Sequence, residues 1–113
     1  MVHSDFRKYH LEKLKDNKEA IMYLEIALQE FEQDGDTQAF LMALRDVAEA
    51  QGGMTRLSNK TKLSRTSLYK ALSSHGNPKI DTISNILKGL GFRIKLEPYK
   101  VSSKNHYEEV LKS

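Results

Sequence analysis

Leu57-Ser58-Asn59-Lys60-Thr61-Lys62-Leu63-Ser64-Arg65-Thr66-Ser67-Leu68-Tyr69-Lys70-Ala71-Leu72 contains two short helical patterns separated by a tight link. Leu57, Leu63, Leu68 and Leu72 are large and apolar at positions that face one interior, and Ser58 is small where the two helices must approach closely. Ser64 can open the second helix, because its side-chain oxygen can accept an otherwise unpaired amide of the first turn. Arg65, Thr66, Tyr69 and Lys70 are interleaved with the leucines and face outward. Two short helices packed at a steep angle, with one polar face left free, form the outline of a helix-turn-helix. The outward residue types suit a DNA groove. Arginine pairs bidentately with guanine, threonine meets a thymine methyl or a base, and lysine reaches guanine or phosphate. The Tyr69 ring either packs under the helix or turns its hydroxyl to a phosphate.

Working outward, the free amides at the start of Met54 to Thr61, with Thr55 and Arg56, are placed to hold the phosphate backbone beside the groove. Asn77 and Lys79 stand just beyond the second helix and can do the same. The candidate DNA-contacting residues are therefore Thr55, Arg56, Ser64, Arg65, Thr66, Tyr69, Lys70, Asn77 and Lys79. No residue is assigned to catalysis, to a metal or to a cofactor.

Charge is segregated along the chain. Residues 1–50 hold 6 Lys/Arg and 11 Asp/Glu, whereas residues 51–113 hold 12 and 4. From Gln51 to Ile80 there are six basic residues, Arg56, Lys60, Lys62, Arg65, Lys70 and Lys79, and no carboxylate. A phosphate-facing surface needs such a local excess, which the net charge of +3 conceals.

The remaining periodicities are mostly helical. Phe6 to Lys15 is a short helical stretch, and Asp16 or Asn17 can cap a second helix carrying Ile21, Leu24, Leu28 and Phe31 as its core stripe. Asp34-Gly35-Asp36 reads as a turn and cap, since the later ligands of a calcium loop are absent. A third helix aligns Phe40, Leu41, Leu44, Val47 and Ala48 and stops at Gly52-Gly53. After His75-Gly76-Asn77-Pro78, Asp81 is expected to cap a last helix with Ile83, Ile86, Leu87 and Leu90 inward and Gly91 as its stop. Phe92, Ile94 and Leu96 alternate with charged residues, the period of a half-buried strand. A hairpin return through Tyr99 to Val101, or a second chain, is the partner such a strand needs.

The expected architecture is all-α, a bundle of five to six helices containing the helix-turn-helix, with one short C-terminal β-strand. Acidic N-terminal helices over 1–50 pack with the rest as a single domain, 51–98 form the DNA-reading region, and 99–113 are a polar tail in which Tyr107, Val110 and Leu111 can form an apolar turn. At 113 residues the chain closes one modest core. The absence of cysteine excludes disulfides, thiolate metal sites and a cysteine nucleophile. A charged start without an apolar leader, and no apolar stretch of membrane-spanning length, place the chain in the cytoplasm. The four histidines lack metal-ligand spacing and read as surface residues. Ser67-Leu68-Tyr69-Lys70 matches the Ser-x-x-Lys pattern of some acyl enzymes without its companion motifs, so the chain reads as no enzyme.

Leu41 to Ala50, Gly53-Met54-Thr55, Leu63 to Ser73, Gly76-Asn77-Pro78, Asp81-Thr82 and Leu90-Gly91 resemble the addiction-module antidote proteins, HigA-type antitoxins whose helix-turn-helix is related to phage Cro and repressor. The resemblance spans about Phe6 to Leu96. It implies a protein that neutralises a RelE/HigB-like toxin, a ribosome-dependent mRNA interferase encoded beside it, and represses the shared operon at a palindromic operator. It also implies DNA contacts at Arg65, Thr66, Tyr69 and Lys70. Lys62 departs from the pattern, because that turn position commonly holds glycine; a left-handed lysine there costs about 1 kcal/mol. The acidic first half is either a dock for a basic toxin or simply a soluble surface. The other reading of the whole is a free-standing helix-turn-helix repressor without a toxin. In both readings a homodimer matches a palindrome, with half-sites about one helical turn apart.

Overall fold

The computed structural model describes residues 2–99, which form six helices: α1 (Val2–Lys13), α2 (Asn17–Asp34), α3 (Thr37–Ala50), α4 (Gly53–Thr61), α5 (Arg65–Ala71) and α6 (Ile80–Gly89). Most boundaries follow from local chemistry. The Asp16 carboxylate accepts the Lys18 amide at 3.0 Å and opens α2. Gly35 closes that helix in the left-handed conformation, and Asp36 accepts the Ala39 amide at 3.1 Å to open α3. Ser64 accepts the Ser67 amide at 3.0 Å and opens α5. The start of α6 differs from expectation. Lys79 occupies the cap position without a side-chain bond, and Asp81 lies inside the first turn, where its carboxylate accepts the Thr82 amide. An acid there still complements the positive end of the helix.

Helix α3 lies at the centre, against α1, α2 and α4, while α4 carries α5 and α6 on its other sides. Leu41, Leu44 and Val47 of α3, Leu68 of α5, Leu72 at the end of α5 and Ile86 of α6 are fully buried in one continuous core. The α3 stripe is as its periodicity predicts. The α2 stripe is corrected: Ala20, Leu24 and Ala27 are buried, whereas Ile21, Leu28 and Phe31 are about two-fifths exposed. Two alanines on the inner face admit the close approach of α3, and the larger side chains are displaced to the flanks.

A polar knot fixes α1 to α3. Asp46, buried on α3, accepts the Tyr23 hydroxyl at 3.0 Å and Arg7 Nη2 at 3.3 Å, with His10 Nε2 at 3.6 Å; Arg7 also reaches Glu49 at 2.8 Å. The His10 ring stacks on Phe6 and meets the edge of Tyr23, so it is not the plain surface residue that its sequence context predicts. Burial, then the Asp46 charge and hydrogen bond, push the Tyr23 phenol up to about 12. A raised folded value stabilises the protein fully below the unfolded value near 10, and this contribution is lost as pH rises through about 12. Urea unfolding across that window is expected to show a decline in stability that Tyr23→Phe makes shallower. Parallel curves for the two proteins would remove Tyr23 from the knot.

No strand forms among the described residues, which corrects the C-terminal expectation. The Phe92 amide donates to Leu87 O at 2.8 Å, finishing the helix end, and its ring packs on the core. Beyond it no neighbouring strand is available to pair, and Ile94 and Leu96 are exposed. The hairpin return past Tyr99 and the apolar turn of Tyr107, Val110 and Leu111 fall outside the described residues. No helix among those described is long and apolar enough to cross a membrane.

Candidate nucleic-acid interface

The link between α4 and α5 is held by side chains that sequence spacing placed only in part. Lys62 ends α4 with φ 63°, and its amide donates to Ser58 O at 2.9 Å. Ser58 Oγ donates to Leu63 O at 2.5 Å, so this residue binds the turn as well as being small. Thr61 Oγ1 donates to Leu57 O at 2.8 Å and accepts the Leu63 amide at 3.2 Å, while Asn85 of α6 donates to Thr61 O at 3.1 Å. The left-handed lysine is thus imposed by the turn. Lys62→Gly is expected to hold or raise stability by up to about 1 kcal/mol. A fall in Tm would show that the Lys62 side chain itself supports the turn.

Helix α5 has only seven residues and depends on what it is packed upon. Leu68 and Leu72 seat it in the core. At its end the Arg45 guanidinium donates to Leu72 O, with Nε at 3.1 Å and Nη2 also in contact. Gly76 then crosses directly over the backbone of Lys70 and Ala71. This anchoring leaves Arg65, Thr66, Ser67, Tyr69 and Lys70 exposed along one helix. Tyr69 is 48% exposed, so its ring is not packed underneath. The Arg65 guanidinium carbon stands 6.0 Å from the centre of that ring, a cation–π contact that organises both side chains on the outer face. Ser64 is exposed, but its hydroxyl is engaged with the Ser67 amide and hydroxyl.

Thr55 and Arg56 are exposed in the first turn of α4, which has no side-chain cap, and Asn77 and Lys79 are exposed beyond α5. Arg56 also borders α6. It lines a cleft of about 140 Å³ with Lys60 and Lys88, on the flank of α4 that meets α6. Lys60 and Lys88 are absent from the sequence-derived set. The Arg56/Lys60 spacing of four signalled the first; only packing of α6 on α4 brings in the second.

All ion pairs among the described residues draw their cations from residues 7–15. Among the described residues no carboxylate pairs with Arg56, Lys60, Lys62, Arg65, Lys70 or Lys79. Arg65 and Lys70 on the exposed face of this short, firmly seated helix, unpaired with acids among the described residues, make a surface able to take a polyanion.

A family model described as a probable addiction module antidote protein matches residues 5–98. The chain belongs to this family. The match enters within α1 and takes in α2 to α6 whole, stopping before residues 99–113. An antidote of an addiction module implies a toxin partner of some kind. An uncharacterized protein of Haemophilus influenzae is 34% identical over 74 residues, covering 66% of this chain and 75% of that protein. No solved structure matches the chain.

Proposed function

We propose that the chain is the antitoxin of a type II toxin-antitoxin module: it neutralises a RelE/HigB-like toxin and, as a homodimer, represses its own operon by reading a palindromic operator. In this reading α4, the Lys62 turn and α5 are a helix-turn-helix of the phage-repressor type within a single domain, and α5 lies in the major groove. The observation that carries it is the outer face of α5, where Arg65, Thr66, Tyr69 and Lys70 are exposed and, among the described residues, in no ion pair with a carboxylate. Arg65 and Lys70 present the donors that guanine and phosphate accept, and Thr66 suits a thymine methyl or a base edge. Ser64, Asn77 and Lys79 flank that face, with Thr55 and Arg56 on the backbone side.

The toxin arm rests on the family and on the opposite charge of the first half. Residues 19–44 contain six carboxylates and no lysine or arginine. Met22 and Ile26 are exposed on α2 within that stretch. Exposed apolar side chains on an acidic stretch fit a basic partner.

The test is co-expression of the tagged chain with the product of the adjacent open reading frame, then titration of the upstream DNA at several salt concentrations. A stable complex together with salt-sensitive operator binding is expected. Operator binding with no captured partner would leave a free-standing repressor, and a complex without operator binding would remove the DNA arm. Arg65→Ala is expected to weaken operator binding by about 1 to 3 kcal/mol and to relax preference at one base pair of each half-site. An unchanged base preference would take Arg65 out of the reading set.

A further inference from the structure

One large apolar feature is used by neither the core nor the α5 face. A groove of about 380 Å³ runs between the end of α2 and the start of α6, lined by Leu28, Phe31, Phe40, Ile80, Ile83 and Ile94. Ile80 is 73% exposed and Ile94 is 46% exposed, beside the two-fifths exposed Leu28 and Phe31. Apolar surface gathered in this way is costly to leave in water. The volume falls among those of pockets that enclose whole small ligands, roughly 300 to 1,000 Å³, so more than one side chain can enter.

The chain itself leads to this groove. After α6, Ile94 lines it, and Glu97, Pro98 and Tyr99 then come to lie along Gln29, Glu32 and Gln33 of α2. Gln29 and Glu32 are next in sequence to the groove-lining Leu28 and Phe31, which puts Tyr99 within one to two helix widths of the groove, roughly 10 to 20 Å. Residues 100–113 follow, beyond the family match that ends at residue 98. Extended chain from Tyr99 to Tyr107 reaches up to roughly 26 to 29 Å, more than the gap to be crossed. Tyr107, Val110 and Leu111 have the spacing of one helix face and are the last large apolar residues of the chain. The stretch leading to them, Lys100 to His106, carries Lys100 and Lys104 and no carboxylate, a sign that suits passage beside Glu32 and Glu97.

We infer that the C-terminal segment closes this groove within its own chain, with Tyr107, Val110 and Leu111 as the apolar anchor. Tethering is what makes so short an anchor sufficient, because a segment joined to its site by a short linker meets it at an effective concentration of about millimolar. A seated segment ties the end of α2 to the start of α6, next to the Asn77-Pro78 link that follows α5. The inference goes beyond the toxin and DNA readings and depends on neither.

Disulfide trapping in the full chain tests it, and the chain has no cysteine of its own to interfere. Ile80→Cys with Lys112→Cys puts one thiol at the groove and one beside the anchor; Ile80 lies largely in solvent, so its replacement leaves the core intact. Lys18→Cys with Lys112→Cys is the control, since Lys18 is exposed on α2 ten residues before Leu28, about 15 Å along the helix. In a glutathione buffer the first pair is expected to close its intrachain disulfide with an effective concentration roughly tenfold or more above the control, and urea should erase the difference. Separately, Val110→Asp with Leu111→Asp should raise binding of an apolar fluorescent dye several-fold over wild type, because the groove is left open. Equal closure in the two pairs, or dye binding unchanged by the tail substitutions, would overturn the inference. Mixed disulfides forming as readily between an Ile80→Cys chain and a Lys112→Cys chain would overturn it too, by giving the groove to a second copy. So would a groove thiol that is shielded only when a co-expressed protein is bound.

Discussion

Leu68→Ala is expected to lower stability by about 3 to 5 kcal/mol, the cost of removing a fully buried leucine and leaving a void. For a chain of this size the corresponding fall in Tm is roughly 15 °C. The position is severe because Leu68 is the one buried residue within α5, and the helix is too short to persist once unseated. Function should therefore fail before the fold does. At temperatures where α1 to α4 still give native circular dichroism, operator affinity should already be lost, because Arg65, Thr66, Tyr69 and Lys70 no longer share one face. A loss of affinity that merely tracks global unfolding would mean that α5 has no independent docking equilibrium. A change under 1 kcal/mol would contradict the packing described for α5.

Gly76→Ala is the second large effect, and it reaches the same helix from the other end. A Cβ at this position would stand 2.2 Å from Ala71 O, 2.9 Å from Ala71 C and 3.0 Å from Lys70 O. All three are backbone atoms, so no side-chain rotation relieves the overlap. Either the end of α5 or the segment from Gly76 to Lys79 must move. Forced overpacking of this kind costs about 2 to 3 kcal/mol. The contrast with Lys62→Gly is the informative control: one glycine is required by close approach, and the other position would tolerate glycine because it is left-handed. Chemical denaturation of both variants should give shifts of opposite sign, or a loss at Gly76 beside no change at Lys62. Equal losses at both would show that α5 is not held at its ends as described.

The outline of the α4–α5 segment was legible because its determinants are local. Ser64 caps α5, Leu57, Leu68 and Leu72 turn inward with Leu63 packed against them, and the outward residues follow by elimination at helical spacing. What spacing could not reveal were partners distant along the chain. Arg45 lies 27 residues before the Leu72 carbonyl it holds, and Asn85 lies 24 residues after Thr61. Nothing in either residue's neighbourhood signals such a bond. The cap of α6 was misplaced for a related reason: an aspartate near a helix start reads the same from sequence at the cap or two positions later, and only the backbone at Lys79 separates the two.

By itself the sequence determined where the helices lie, where most of them begin, and how charge divides between the two halves. Each of these depends on contacts within about four residues, or on composition alone. The tertiary structure decided which side of α2 is buried, because the small residues Ala20 and Ala27 let α3 approach and left Ile21, Leu28 and Phe31 on the flanks. It also decided that Phe92 to Leu96 is no strand. Alternation gives a segment two faces, but a strand exists only when another backbone supplies the hydrogen bonds, and among the described residues none does.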